Sequence, residues 1–316
     1  MEDHENVAGT VDPVSGIRVF SLFTEKTMRP TAAMLQGVDV VVFDIADVGA
    51  RFYTYATTLA YALEECARAG KPLIVLDRPN PITGLHVEGP VLDQKNESFV
   101  GYFPLPLRHG MTIGELAKMF NGENKLHADL KVIPMAGWRR GDWFDATGLR
   151  WVNPSPNIRS LTAALLYPGV AMLEYSEDYT VGRGTETPFE LIGSKWLDGA
   201  KLADYLNARA IPGVRIYPVT VKPVSSHLAG TEVQGVRFIV TDRDILDSER
   251  LGLEVAGALM KLYPGKINLD VDRRLIGSDA VMLRLEKGDD PREIWIDDQA
   301  ALTKFLEVRR AYLLYE

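Results

Sequence analysis

Three carboxylates stand where chemistry could be done. Asp44 closes the apolar run that begins at Val38 (VDVVVFDI, 38–45), Asp77 follows directly on PLIVL (72–76), and Glu88 lies a few residues on in VEGP. Paired carboxylates act as general acid and base when their surroundings push their proton affinities apart. Glu88 is bracketed by an apolar residue and a Gly-Pro pair, and a carboxyl held against apolar surface takes up a proton more readily, as a general acid near neutral pH must. Donors accompany each acid: Arg51 and Tyr53 follow the first run, Arg78 and Asn80 the second, with Pro79 and Pro81 stiffening the loop between them. Further along, Arg183 lies between Gly182 and Gly184 in a segment that also carries Glu186 and ends at Glu190, and His109 stands in LRHG. Each has a plainer alternative, an internal ion pair for Arg183 and simple packing for His109. The same strand delivers Asp47 to the rim beside Asp44, with a cap for the helix that follows as its plainer reading.

The elements that must position these groups are clearest in the first half. VDVVVFDI is a nearly unbroken β-branched run, the pattern of a strand covered on both faces. Phe52 to Ala69 repeats apolar residues at helical spacing, Gly70 suits the residue beyond a helix end, and Pro72 to Leu76 is a second strand. Strand, helix, strand is a βαβ unit, so both strands should deliver their acids to one rim, where ligands of parallel sheets bind. Ile17 to Leu22 reads as an upstream strand and Pro30 to Leu35 as a short helix. Thr112-Ile-Gly-Glu115 is a capping box that opens a helix to about Phe120, ahead of a strand near Leu130 to Met135. A loop-rich stretch from Gly137 to Asn157 holds three of the five tryptophans and sets a domain boundary near residue 150, giving 1–150 and 151–316. The second half predicts helices at Gly199–Ala208, Ser248–Tyr263 and Asp297–Leu314, and strands at Val214–Val219, Val236–Thr241 and Ala280–Leu285.

Composition narrows the function. Apolar residues are 46% and charged residues 25%, a globular balance, and the net charge of −8 argues against a nucleic-acid partner. The single cysteine, Cys66, falls in a predicted helix and reads as a buried, inert thiol; it permits neither an internal disulfide nor a Cys-based zinc site. No apolar run reaches the roughly 18–20 residues of a membrane span, and the polar, acidic start shows no signal peptide, which reads as cytoplasmic. The sequence contains no dinucleotide fingerprint, Walker A, G-x-S-x-G or H-E-x-x-H motif. Carboxylates, guanidinium groups, amides and aromatics remain, the inventory of a carbohydrate site that needs no metal or organic cofactor.

Six segments then resemble a known family. VFDIADVGARFYTY (42–55), VLDRPNPITG (75–84), VEGPVL (87–92), PLPLRHGMTIGELA (104–117), PSPN (154–157) and GRGTETPFELIG (182–193) are similar, in order, to the DUF1343 family, whose characterised members are exo-acting β-N-acetylmuramidases. The resemblance implies an α/β fold: a Rossmann-like, mostly parallel sheet domain, a smaller mixed α/β domain and a cleft between them. It implies a muramyl glycan as substrate, with terminal N-acetylmuramic acid released from peptidoglycan fragments. Glu88 maps onto a proposed catalytic carboxylate of the family, with Asp44 as a secondary electrostatic partner. Arg51, Arg78 and Arg183 become candidates for the lactyl carboxylate of the sugar. Tyr53, Asp77, Asn80, His109, Asn157 and Glu190 complete the expected lining.

The resemblance also implies an upstream segment with a Pro-Glu-His-Gly motif bearing a second carboxylate, which Glu2, Asp3 and His4 do not reproduce. Without flanking strands, VDVVVFDI would gain an exposed edge. Family members are often exported, which leaves the compartment open, and the oligomeric state is not legible. A non-catalytic muramyl-binding relative is the competing expectation.

Overall fold

The computed structural model describes residues 9–24 and 27–316, so Glu2, Asp3 and His4 lie outside the described residues. A small hairpin, β1 (Thr10–Val11) and β2 (Arg18–Val19), comes first, then the short helix α1 (Ala32–Leu35). Next come β3 (Val41–Phe43), α2 (Tyr55–Ala69), β4 (Leu73–Leu76), β5 (Glu88–Val91), β6 (Pro106–Arg108), α3 (Ile113–Glu123) and β7 (Leu130–Ile133). Strands β3, β4 and β7 form a parallel sheet in that order, with Val41 opposite Leu73 and Leu73 opposite Leu130. Strands β5 and β6 pair antiparallel as a separate ribbon.

Local chemistry explains the helices of this half. Gly70 ends α2 in the left-handed conformation at φ 62°, a geometry that costs glycine no Cβ clash. Thr112 and Glu115 cap α3 reciprocally, as the sequence predicts. Helices α2 and α3 bury Leu59, Leu63, Leu116 and Phe120 against Phe43, Leu73 and Val75 of the sheet.

Expected cover on both faces of β3 is not found. Val41 and Phe43 face the helices, whereas Val40 and Val42 are 41% and 52% exposed, and β3 pairs with β4 alone among the described residues. The apolar run is therefore an edge strand.

The second half holds α4 (Leu161–Val170), β8 (Leu191–Ser194), α5 (Gly199–Ala208), β9 (Val214–Val221), β10 (Val233–Val240) and α6 (Ser248–Leu262). Three further helices follow: α7 (Arg273–Ile276), α8 (Asp279–Lys287) and α9 (Pro291–Arg309). The sheet order is β8-β10-β9, antiparallel throughout, so the described residues hold one three-stranded parallel and one three-stranded antiparallel sheet besides the two small antiparallel pairs. The strand expected at Ala280–Leu285 is instead α8. Ser278 accepts the Val281 amide at its head, and Gly288 takes φ 77° at its end, so capping outweighs the apolar run. Helix α4, apolar on every side, crosses α6 so closely that a Cβ at Gly169 would meet the Ser248 carbonyl at 2.0 Å.

Candidate active site

The parallel pairing of β3 and β4 sends both following loops to one rim, as the βαβ pattern requires. A pocket of about 210 Å³ opens there, with Asp47, Arg78 and Pro81 on the side of the sheet loops. Phe144, Arg150 and Trp151, from the tryptophan-rich loop, close the opposite side. Two contacts brace that second wall: Phe144 and Trp151 meet edge to face at 5.1 Å, and the Tyr55 hydroxyl donates to the Pro154 carbonyl at 3.3 Å.

The predicted rim acids separate into three environments. Asp44 is about half exposed and binds Arg78, whose Nε lies 2.8 Å from Oδ1, so it fixes a pocket guanidinium from outside the lining. Asp77 is buried and accepts four hydrogen bonds: the amides of Arg78 and Gly114 and the hydroxyls of Thr112 and Tyr315. Burial raises its pKa while those bonds oppose the shift. Its geometry ties β4 to the start of α3 and to the chain terminus. Glu88 is 4% exposed; one oxygen pairs with the fully buried Arg108, and the other accepts the Ser248 amide at 2.8 Å. The expectation for Glu88 was a carboxyl against apolar surface, and the neighbour it meets is a guanidinium.

Several expected binding residues face inward. Arg51 is 1% exposed and donates to the carbonyls of Pro90, Leu105, Leu275 and Ile276, and burial lowers its pKa to about 9. Its guanidinium clasps the two halves together and is not presented to the pocket. Asn80, 2% exposed, donates to the Met111 carbonyl and accepts the Ile82 amide, holding the Pro79–Pro81 turn. Tyr53 is buried, and its hydroxyl is kept protonated first by burial, then by Tyr55 and the charge of Asp47. Arg183 pairs with Glu174 and covers the Phe189 ring at 5.2 Å; Glu190 accepts from Ser160 and Arg237. Asn157 is half-buried in the PSPN turn, and Cys66 is a buried thiol whose pKa burial pushes up to about 11. Neither Arg183, Glu190 nor Asn157 lines the pocket.

Of the charged lining residues, Arg150 escaped the sequence reading and Asp47 departs from its plainer one. Asp47 caps no helix: α2 begins at Tyr55 behind Thr54, and the Asp47 carboxylate instead accepts the Gly49 amide at 2.7 Å. Gly49 has φ 86°, and a Cβ there would come within 2.6 Å of Asn80, so the turn that presents Asp47 demands glycine. That glycine was the available signal. Arg150 had none, because its place depends on how the tryptophan-rich loop folds back. His109, 0% exposed, stands behind Asp47 with Nε2 3.3 Å from Oδ2.

Taken together, a parallel sheet with a pocket of about 210 Å³ at its carboxyl ends, lined by Asp47, Arg78 and Arg150, makes this an α/β protein of the kind whose ligands bind at strand ends. Comparison with known proteins narrows that class. The family description "Exo-beta-N-acetylmuramidase NamZ, N-terminal" matches residues 1–162, and its C-terminal counterpart matches residues 165–315. The chain belongs to the NamZ family. It is 40% identical, over 314 residues, to the peptidoglycan beta-N-acetylmuramidase NamZ of Bacillus subtilis strain 168; the match takes in 98% of this chain and 75% of that protein. Two crystal structures of DUF1343 family proteins from Bacteroides fragilis share the fold, at TM-scores of 0.89 and 0.77 and identities of 34% and 28%. Each match covers 97% of this chain and 82% of the other.

Proposed function

We propose that this chain is a glycoside hydrolase that releases terminal N-acetylmuramic acid from peptidoglycan fragments, with the sugar seated in the pocket at the ends of β3 and β4. The supporting observation is the pocket itself: about 210 Å³ suits one terminal sugar better than a run of glycan, and Arg78 and Arg150 at its rim match the lactyl carboxylate. Relatedness to a curated peptidoglycan beta-N-acetylmuramidase supports the same reading. Glu88 keeps the catalytic role implied by the family, on the condition that substrate displaces one of its two partners. Asp44 assists by orienting Arg78.

The test is incubation with an N-acetylmuramyl-N-acetylglucosamine disaccharide and measurement of free N-acetylmuramic acid. Release is expected from the wild type, and none from Glu88→Gln while binding persists. Unchanged turnover in that variant removes Glu88 from the reaction.

A second reading, a muramyl-binding protein without hydrolysis, is favoured by one feature. Among the described residues a single carboxylate, Asp47, lines the pocket, whereas glycoside hydrolysis ordinarily uses two carboxyl groups roughly 5–9 Å apart. Calorimetric binding of muramyl sugar with no product from the wild type supports that reading over the first.

A further inference from the structure

Asp47 has one carboxylate oxygen committed and one not. Oδ2 accepts the Gly49 amide and faces His109, while Oδ1 is buried with no hydrogen-bond partner among the described residues, in a side chain only 6% exposed that borders the pocket. A buried acceptor left unsatisfied costs roughly 1–3 kcal/mol, and more when it is charged. Such a group calls for a partner, and at the wall of a pocket a bound ligand can supply one.

The surroundings hold the carboxylate in one orientation. His109 Nδ1 accepts the Met111 amide at 3.1 Å, which leaves Nε2 as the ring's free donor position, 3.3 Å from Asp47 Oδ2 and without a hydrogen-bond partner among the described residues. The Met111 carbonyl in turn accepts from Asn80, whose other end abuts Gly49. The loops after β3, β4 and β6 thus lock against one another around a single carboxylate. Such preorganisation is what a group needs if it is to act on charge that appears only during reaction.

We propose that Asp47 is the carboxylate that faces the anomeric carbon of the bound sugar and stabilises the positive charge developing there as the glycosidic bond breaks. His109 is a positioning residue that acts through Asp47 by standing 3.3 Å from Oδ2, the oxygen that already accepts the Gly49 amide, so that Oδ1 is the oxygen left for the sugar. The inference rests on the pocket being the muramyl site. Glycosidic cleavage passes through an oxocarbenium-like transition state, and removal of one preorganised electrostatic group typically costs about 10²–10³ in kcat.

The experiment is a double-mutant cycle on muramyl disaccharide hydrolysis, with thermal midpoints recorded for each variant. Asp47→Asn is expected to lower kcat about 10²-fold or more with KM within about threefold. His109→Leu should lose a comparable factor, and His109→Gln, which keeps a donor near Nε2, should recover most of it. Asp47→Asn combined with His109→Leu should lose little more than either alone. Formate added to Asp47→Ala should restore part of kcat. Additive losses, or a kcat in Asp47→Asn within threefold of wild type, overturn the proposal. If the wild type releases no N-acetylmuramic acid, the hydrolase reading fails first, and the calorimetric affinity for free N-acetylmuramic acid then decides. A loss of about tenfold or more in Asp47→Asn sustains the contact of Asp47 with the sugar and leaves its catalytic part overturned; equal affinities, or no binding by either protein, overturn both parts.

Discussion

Glu88 gives one oxygen to Arg108 and the other to the amide of Ser248, in the first turn of α6, where the helix dipole also favours a negative charge. Arg108 is fully buried, so Glu88→Gln strips it of its counter-charge. Removing one partner of a buried ion pair costs about 3–5 kcal/mol, and urea unfolding should register a loss of that order. Glu88→Gln activity therefore has to be read at matched fractions of folded protein. Arg78 makes the opposite prediction. It is partly exposed and, among the described residues, its guanidinium is paired with Asp44 at the wall of the pocket, so Arg78→Ala should leave stability nearly unchanged. A lost charge-assisted hydrogen bond is worth about 1.5–3 kcal/mol, so KM for a muramyl substrate should rise about tenfold or more, with kcat much less affected.

At the scale of elements, β5, α6 and α9 meet around buried acids. Burial, reinforced by the charge of Glu88, pushes Asp247 up to about 7; burial also pushes Asp298 up to about 6 and Glu249 well above its usual range. Gly89 is compelled here, because a Cβ would sit 2.0 Å from Asp298 Oδ2. Asp272, beneath Tyr175 and Tyr179, is likewise raised by burial to about 7. A carboxyl with a raised pKa binds more protons in the folded chain than in the unfolded one. Stability is then greatest below the ordinary carboxylate range and falls as pH rises through about 4 to 7. Thermal midpoints measured across that window should decline, and Asp298→Asn should flatten the decline and raise the midpoint at pH 8. The capping signals of α8 were readable at this scale too: Ser278, Asp279, Lys287 and Gly288 are ordinary helix punctuation around a run mistaken for a strand. Helix α4 gave no such help, since a helix buried on all sides loses its periodicity.

Across the whole molecule the two halves are interlocked by sequence-distant contacts. Arg51 binds carbonyls of Leu275 and Ile276, and Phe305 of α9 enters the core between α2 and α3. Residues 314–316 return to the first half: Leu314 donates to Glu115, Tyr315 donates to Asp77, and the Glu316 carbonyl accepts from Arg140. Deletion of residues 313–316 should accordingly lower the thermal midpoint and weaken muramyl binding, although none of the four lines the pocket. In the first half, Val40 and Val42 are exposed at β3, whose outer edge is unpaired among the described residues. Val42→Lys should reduce self-association in sedimentation velocity while leaving the circular dichroism spectrum unchanged.

By itself, the sequence determined the order of strands and helices around the parallel sheet, the caps at Gly70 and Thr112, and the rim on which Asp44 and Asp77 emerge. These follow from periodicity and backbone conformation, which neighbours along the chain decide. Only the tertiary structure decided which groups face the pocket. Arg51 and Glu88 turn inward because carbonyls at 275 and 276 and the amide at 248 are there to meet them, and Asp47, itself buried, borders the pocket because Gly49, Asn80 and His109 stand around it. Residue type and spacing select the candidates for chemistry; partners from remote segments fix their direction, since a buried charge takes whichever orientation satisfies it.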